Sequence, residues 1–462
     1  MTCRVIVVLP SAMMVRNWLS TPLAGKLGHA QDLDVTVITP DPRDRVAVEE
    51  AGLAWHELAR PRNSGSMARL RFMAGYLLHL ALVNRFNVIA QFRGARERLK
   101  QSRAHRRLAL RDGMPASPLF GWPAPRSRSI YRFIHSLYWK AWQRDGAVEA
   151  LFDAQRPDLL VLGHIQTHFV TPYALAAQAR GVPVLGLVGS WDQPTTKGPL
   201  VPFVSRYLVQ GQGIANELTR YHGVAEDSIV RVGWVQFDRY SLPGFVPGRG
   251  QVLKDLGLAS GMRYLLFGAY PERLGRHEPD LCRRIADMLK QVPDCVLVVR
   301  CHPLDREWEA RFGVLASPRI VVLPPELEGL DRLAGQVRHA EMVLSSAGTI
   351  LLDAVVLDTP AIGIAQEDET EPYYDRVARR YDMEHWASLI GSGGIPLART
   401  DAELEQLILQ TLADRARDAA GRCRLIESHL APLDGKASDR IVDAIVRMAF
   451  ETAGGQARAG AV

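Results

Sequence analysis

The sequence has few cysteines, and no two of them are placed for a shared role. Its 462 residues contain five, Cys3, Cys282, Cys295, Cys301 and Cys423, and none belongs to a CxxC pair. A disulfide framework and a cysteine-based zinc site both need clustered or regularly spaced cysteines. The spacing therefore excludes a disulfide-rich secreted domain and indicates a reducing compartment.

Long apolar runs are also missing. No stretch reaches the ~18 consecutive apolar residues that a membrane-spanning helix requires. The first ten residues form a short strand pattern whose apolar part is too short for the core of a secretion signal. We therefore expect a cytoplasmic protein, with any membrane contact made at the inner face of the cytoplasmic membrane.

Positive charge is abundant but concentrated in one segment. Between Arg60 and Arg144 there are 18 Lys or Arg residues and two acidic ones, whereas the whole chain has a net charge of only +6. Apolar and aromatic helices beside these arginines suit peripheral contact with an anionic membrane. A basic helical insertion packed on its own domain, with a solvated face, fits the same pattern. No recognised nucleic-acid-binding module accompanies the charge, so we expect no nucleic-acid partner.

Two series of alternating strands and helices lie on either side of a Pro- and Gly-rich stretch, residues 241–250. Strand, helix and parallel strand in this order are typical of a doubly wound sheet. The predicted strands are Arg4–Leu9, Asp34–Thr39, Asp158–Leu162, Val182–Val188, Arg206–Gln210 and Ile229–Val232 in the first series, and Arg263–Phe267, Cys295–Val299, Ile320–Leu323, Glu341–Leu344 and Pro360–Ile364 in the second.

The predicted fold class is α/β, with two doubly wound Rossmann-like domains facing a cleft. The first domain spans residues 1–244 and contains a basic helical insertion at about 63–146. The second spans residues 251–452, and residues 453–462 form a flexible tail. Ligands bind such sheets at the carboxyl ends of the strands, so polar residues just after a predicted strand are candidates for a site.

The turn Ser345–Thr349 follows a strand of the second domain and precedes a helical pattern, Ile350–Leu357. Small residues at a strand-to-helix turn leave backbone N–H groups uncovered. The positive end of the helix dipole then favours an anion such as a diphosphate. An ordinary helix N-cap formed by Ser or Thr is the alternative.

Two further pairs of residues suit the same chemistry. Arg300 and His302 end another strand, and Pro303 keeps His302 extended. A guanidinium and an imidazole donate to phosphate, although a loop histidine bonded to a carbonyl is equally compatible. Lys436 and Ser438 precede the last predicted helix, where they fit either an anion contact or a plain helix cap.

Taken in order, these motifs resemble the C-terminal half of the GT-B glycosyltransferases and their relatives, the UDP-N-acetylglucosamine 2-epimerases. The resemblance rests on His302-Pro303, on Ser345–Thr349 followed by Asp353–Pro360, and on Asp434–Ile441. The segments that are similar to surface-polysaccharide glycosyltransferases are Ser190–Gly198, Tyr373–His385 and Ser392–Gly394.

Two departures from these families bear on the function. Asp353 stands where GT-B enzymes usually carry a Glu that binds the nucleotide ribose. The turn Ser345–Thr349 stands where the 2-epimerases have an Asp-Ser-Gly-Gly type turn. The epimerases also lack a long basic insertion, and the resemblance covers most of residues 155–445 without the insertion. The turn and the insertion, which are departures from the epimerases, favour a transferase over an epimerase.

The resemblance implies a donor site in the second domain that needs no metal and no cofactor, since N–H groups and basic side chains take the charge of the leaving diphosphate. Its expected members are Gly268, Arg300, His302, Ser345, Ser346, Gly348, Thr349, Asp353, Lys436 and Ser438.

In the first domain the resemblance implies a general base that deprotonates the acceptor. Asp192 is the first candidate and His164 the second; a turn-forming role and a structural role are their respective alternatives. The residues expected to position the acceptor are Ser11, Ser190 and Lys197.

The expected function is transfer of a sugar from a nucleotide sugar to a lipid-linked or cell-envelope glycan, in polysaccharide biosynthesis. A nucleotide-sugar 2-epimerase or a polyol-phosphate transferase of the same fold is the enzymatic alternative. The remaining alternative is a non-catalytic GT-B-like protein that binds a nucleotide or a partner.

Overall fold

The computed structural model describes residues 2–59, 70, 74, 128–142, 144–196, 199–272, 275–327, 329–366, 377–381 and 383–459. These residues form two compact units. The first unit contains the described residues up to Arg239 together with those from His429 onward, and the second contains those in Tyr240–Ser428.

The first unit is built on a parallel sheet of seven strands. They are β1 (Cys3–Val8), β2 (Leu33–Thr39), β3 (Ala54–Glu57), β4 (Leu159–Leu162), β5 (Val184–Leu187), β6 (Arg206–Val209) and β7 (Ile229–Arg231). Their order across the sheet is β3-β2-β1-β4-β5-β6-β7. This is a doubly wound order that reverses its direction between β1 and β4.

The second unit repeats this arrangement with six parallel strands. They are β8 (Arg263–Gly268), β9 (Cys295–Arg300), β10 (Ile320–Leu323), β11 (Met342–Ser345), β12 (Ala361–Ile364) and β13 (Leu397–Ala398). Their order is β10-β9-β8-β11-β12-β13, with the reversal between β8 and β11. The predicted fold class, two Rossmann-like α/β domains, is therefore confirmed.

The α-helices of the described residues, in chain order, are α1 (Ala12–Leu19), α2 (Pro22–Gly28), α3 (Asp44–Glu50), α4 (Arg128–Lys140), α5 (Gly146–Gln155), α6 (Thr171–Ala179), α7 (Gln193–Thr196), α8 (Gln212–Glu217), α9 (Arg249–Asp255), α10 (Glu278–Met288), α11 (Trp308–Arg311), α12 (Leu330–His339), α13 (Ile350–Val356), α14 (Ala378–Tyr381), α15 (Glu384–Ile390), α16 (Asp401–Ala413), α17 (Ala419–Leu425) and α18 (Ala437–Ala459). None of them is long and apolar enough to cross a bilayer.

The strands form where the sequence is a near-continuous apolar run. All six residues of β9, Cys-Val-Leu-Val-Val-Arg, are buried, as expected for a parallel strand covered on both faces. In the second unit, Leu265, Phe267 and Leu297 pack with α10 through Leu281 and Ile285. The helices thus cover the sheet and leave its carboxyl edge for polar residues.

The C-terminal helix packs on the first sheet. Ile441, Ile445 and Met448 of α18 recur at helical spacing and belong to the same buried cluster as Val5 and Val161. The unit boundaries therefore differ from the predicted ones, because the residues from His429 onward return to the first unit and the second begins at Tyr240. Within residues 453–462, where a flexible tail is predicted, α18 continues to Ala459.

The helical segment after β1 is divided into α1 and α2, because Pro22 has no N–H to continue α1 and Thr21 caps the new helix. Most of the predicted basic insertion lies outside the described residues, and its described part includes α4.

Candidate functional site

The reversal point of the second sheet brings the predicted turn against the end of β8. Gly268 and Ser345 are register partners in β8 and β11. The Ser345 hydroxyl donates to the Gly268 carbonyl at 2.8 Å and accepts the Gly348 N–H at 3.2 Å. A Cβ at position 268 would lie 2.7 Å from Cγ2 of Ile350, so glycine lets the turn and α13 approach the strand. In doubly wound sheets this edge is where ligands bind.

The turn itself is strained. Ala347 has a φ of 102°, a conformation that side-chain-bearing residues rarely adopt. Such residues cost on the order of 1–3 kcal/mol and persist only where their surroundings fix them. Here Tyr381 donates to the Ser345 carbonyl at 3.1 Å, and Arg380 Nη1 donates to the Ser346 carbonyl at 3.1 Å. Tyr270 donates to the Ala347 carbonyl at 2.7 Å.

Tyr270 also links the turn to His302. Its ring stacks on the His302 ring with 6.4 Å between centroids, and the Arg380 guanidinium lies 4.4 Å from the Tyr270 centroid. The Leu304 N–H donates to Nδ1 of His302 at 3.1 Å, which places the proton of the neutral ring on Nε2. Burial lowers the pKa of His302, with Asp305 acting in the opposite direction. His302 is thus a neutral donor through Nε2.

A buried carboxyl group lies behind Tyr270. Glu278, only 2% exposed, accepts the Tyr270 N–H at 2.7 Å, and its Oε2 is 3.9 Å from Nη2 of Arg311. Burial raises the pKa of Glu278 to about 7, against the opposing effects of the Tyr270 N–H and of the Arg380 and Arg311 charges. Arg311 in turn donates to the Tyr270 carbonyl at 3.0 Å. The Tyr270 main chain is therefore fixed on both sides.

Arg300 and Asp353 belong to a neighbouring polar cluster. Arg300 is buried and donates to Oε1 of Gln336 at 2.8 Å, and burial lowers its pKa while the nearby charge of Asp353 raises it. Asp353, on α13, accepts the Tyr240 hydroxyl at 2.6 Å. Thr349 directly precedes α13. The second unit thus brings together eight of the ten predicted donor residues: Gly268, Arg300, His302, Ser345, Ser346, Gly348, Thr349 and Asp353.

Lys436 and Ser438 lie elsewhere, in the first unit at the start of α18. The Asp238 carboxylate already accepts the N–H groups of Ala437 and Ser438, at 3.0 and 2.6 Å. Because a carboxylate of the chain occupies this helix start, Ser438 is buried there as part of a cap. Lys436 is exposed beside it. These two residues therefore belong to the first unit, whereas the turn belongs to the second.

In the first unit, the predicted residues follow three neighbouring strands. Ser11 follows β1, and its side chain makes no capping bond to α1. His164 follows β4, and the Gln166 N–H donates to its Nδ1 at 3.0 Å. The neutral ring therefore carries its proton on Nε2, which makes His164 a donor and disfavours its predicted role as a base. Lys197 lies outside the described residues.

Ser190 and Asp192 lie in the loop after β5. The Asp192 carbonyl accepts both the N–H and the hydroxyl of Thr195, so the turn uses its main chain. Gln193 anchors the loop by accepting the Gly189 N–H at 2.9 Å. A Cβ at Gly189 would lie 3.0 Å from the His164 ring, which places this loop beside His164.

Several residues of these sites carried no recognisable signal. Tyr240, Tyr270, Arg380, Tyr381 and Glu278 form the contacts above, but a single aromatic or charged residue has no diagnostic spacing. Of these residues, Arg380 and Tyr381 fall within Tyr373–His385, a segment that resembles surface-polysaccharide glycosyltransferases. The described residues contain no group of three or more His, Cys, Asp or Glu that could hold a metal ion.

No protein-family model matches the sequence, and no curated protein matches it. Several solved structures, however, are similar to this chain. A UDP-GlcNAc 2-epimerase from Neisseria meningitidis, bound to UDP-GlcNAc, is similar over 96% of this chain and 100% of its own, with a TM-score of 0.57 and 12% identity. The glycotransferase of kitacinnamycin is similar over 97% of this chain and 99% of its own, with a TM-score of 0.54 and 14% identity.

A glycosyltransferase from Rickettsia africae is similar over 98% of both chains, with a TM-score of 0.52 and 9% identity. At such identities the likeness shows the fold alone. The same fold serves proteins named as epimerases and proteins named as glycosyltransferases. The chain therefore has the GT-B fold of two Rossmann-like domains, as the sequence motifs predicted.

Proposed function

We propose that the chain is a glycosyltransferase that uses a nucleotide-sugar donor and a lipid-linked or cell-envelope glycan acceptor. The observation that carries the proposal is the strained turn Ser345–Thr349 at the reversal point of the second sheet. Strained backbone concentrates at ligand-binding sites, where it presents main-chain groups in a fixed orientation. The basic segment between Arg60 and Arg144 is the reason for proposing an acceptor at an anionic membrane surface.

In this proposal the turn and His302 hold the donor diphosphate. Among the described residues, the Ala347 N–H has no hydrogen-bond acceptor, and it faces away from the Ser346 carbonyl because the peptide is trans. With the His302 Nε2–H it supplies donors for the oxygen atoms that gain charge as the sugar–phosphate bond breaks. No metal is needed for this step.

The first unit has the other role in the proposal, activation of the acceptor. Asp192 removes the proton of the acceptor hydroxyl as its oxygen attacks the sugar, and the diphosphate leaves with the bonding electrons. His164 presents Nε2–H and so acts as a hydrogen-bond donor to the acceptor. Ser11, Ser190 and Lys197 remain candidates for positioning it.

A nucleotide-sugar 2-epimerase is the second candidate function. It is favoured by the likeness to the epimerase from Neisseria meningitidis over nearly the whole chain. The epimerase reaction changes the donor alone, whereas transfer requires a second substrate. The two candidates therefore differ in whether product forms without an acceptor.

The experiment is a panel of UDP-, GDP-, CDP- and ADP-sugars, incubated with and without membrane-extracted glycan acceptors. Release of nucleoside diphosphate only with acceptor supports the transferase, and a new nucleotide sugar without acceptor supports the epimerase. Thermal unfolding with each nucleotide sugar is measured in parallel, because a tight ligand raises the midpoint. If no nucleotide sugar at millimolar concentration shifts the midpoint, both candidates are contradicted.

A further inference from the structure

We propose that Tyr270, Arg380 and Tyr381 are positioning residues that hold the turn Ser345–Gly348 in the conformation that binds a nucleotide diphosphate. The inference rests on the proposed function and extends it to residues outside the predicted donor site. Each of the three donates to one of three consecutive main-chain carbonyls. None of them needs to touch the ligand to have this effect.

Three consecutive carbonyls determine the shape of the turn. Each peptide unit is planar, so fixing the direction of the carbonyls of Ser345, Ser346 and Ala347 fixes three planes. The dihedral angles of Ser346 and Ala347 describe how those planes are joined. The φ of 102° at Ala347 is therefore the geometric consequence of satisfying all three bonds together.

The same planes aim the N–H groups. In a trans peptide the N–H points opposite to the carbonyl of the preceding residue, so the Ala347 and Gly348 N–H groups face away from Arg380 and Tyr270. The Gly348 N–H meets the Ser345 hydroxyl at 3.2 Å. The Ala347 N–H has no acceptor in the described part of the chain. If one of the three bonds is lost, a peptide plane of the turn can rotate, and the Ala347 N–H then points away from the ligand.

Tyr270 has a second effect, on His302. The two rings are nearly parallel, with an interplanar angle of 16°, so the position of one limits the tilt of the other. The Tyr270 main chain is anchored by Glu278 at its N–H and by Arg311 at its carbonyl. One tyrosine thus sets both the direction of the Ala347 carbonyl and the orientation of a predicted phosphate donor.

The test uses the conformational preference of glycine. Tyr270→Phe removes the bond to the Ala347 carbonyl but keeps the ring, and UDP affinity, measured by isothermal titration calorimetry, should fall about 10-fold. Ala347→Gly removes the cost of positive φ. In the double variant Tyr270→Phe/Ala347→Gly the turn no longer needs the bond to offset strain, so UDP affinity should return to within about threefold of wild type.

Tyr264→Phe is the matched control. The Tyr264 hydroxyl also donates to a main-chain carbonyl at 2.7 Å in the second unit, that of Gln336. We expect this variant to lose stability while keeping wild-type UDP affinity, with no rescue by Ala347→Gly. Equal losses of affinity in both tyrosine variants, or no rescue in the double variant, would overturn the assignment.

The positioning role can be tested even if the chain binds no nucleotide. Urea unfolding of wild type, Tyr270→Phe, Ala347→Gly and the double variant forms a double-mutant cycle. If Tyr270 holds Ala347, Tyr270→Phe costs less stability when residue 347 is Gly. Additive losses contradict the hold on the turn, whereas coupled losses without UDP binding contradict only the proposed function.

Discussion

The two units have the same strand order and place a histidine at the same edge of the sheet, yet they present different chemistry there. His164 and His302 each accept, at Nδ1, the N–H of the residue two positions later. Beside His302 lies a strained turn fixed by three side chains. Beside His164 lies a loop in which the Gln193 side-chain amide accepts the Gly189 N–H. The same kind of sheet thus carries, at this edge, a turn whose main chain is held by three side chains in the second unit and a loop that bonds mainly to itself in the first.

The difference between the two loops follows from the side chains that pack behind the carboxyl edge of each sheet. In the second unit, Tyr270, Arg380 and Tyr381 donate to the carbonyls of the turn, and the buried Glu278 accepts the Tyr270 N–H. In the first, the loop after β5 closes on itself through Thr195 and Asp192. A fold of this kind therefore specifies where a site lies, while the side chains behind the edge specify what it binds.

The largest effect that separates the two units is expected for Asp192→Asn. A general base contributes typically 10²- to 10⁴-fold to a rate, so sugar transfer should fall by about that factor. Donor affinity should stay unchanged, because the donor contacts assigned above lie in the second unit. Steady-state kinetics with calorimetric titration of UDP checks both. Wild-type turnover in this variant contradicts the assignment of the base.

Glu278→Gln should change how stability depends on pH. Burial raises the pKa of Glu278 from its ordinary 4.5 to about 7, so the folded protein binds this proton more tightly than the unfolded chain. The free energy of unfolding therefore falls as the pH rises between these values, by up to ~3 kcal/mol. Glu278→Gln removes that fall, whereas Glu309→Gln, at an exposed site, should retain it. Urea unfolding at pH 5 and pH 8 measures the difference.

Ser345→Ala should lower the stability of the second unit and its affinity for UDP, with a smaller effect than the two variants above. The variant removes a fully buried hydroxyl that donates to Gly268 and accepts from Gly348, at a cost of roughly 1–3 kcal/mol in stability. UDP affinity should fall about 10-fold. Ser392 makes the same pair of bonds, to the Leu389 carbonyl and from the Gly394 N–H, so Ser392→Ala is its control. A loss of UDP affinity in the control would mean that the effect is general loosening.

The smallest effect is expected for Lys436→Ala. Asp238 already caps the start of α18, and Lys436 is exposed, so UDP affinity should change less than twofold. Asp238→Ala removes the cap and should cost ~1 kcal/mol of stability. A large loss of nucleotide binding in Lys436→Ala would support the sequence-based assignment of Lys436 to the donor site. It would contradict the division of roles between the units.

The sequence predicted the strands well because parallel strands are buried on both faces and read as apolar runs such as residues 295–299. It also located the turn, since small residues after a strand are visible in a single sequence. The strain at Ala347 was not predictable, because alanine carries no mark of positive φ and the residues that enforce it come from distant positions. The capping role of Asp238 was not predictable for the same reason, because the helix that it caps begins about 200 residues later.

The return of the chain to the first unit has a consequence for synthesis. The helix α18 shares the core of the first sheet with α1 and α2, and the ribosome makes it only after every residue of Tyr240–Ser428. The described residues of the second unit all lie within Tyr240–Ser428, so they are complete before α18 is made. Until α18 is made, the cluster around Val5 and Val161 lacks Ile441, Ile445 and Met448, so the first unit is the one whose partly made form is prone to aggregate. Nascent chains stalled before residue 437 should therefore bind chaperones through the first unit.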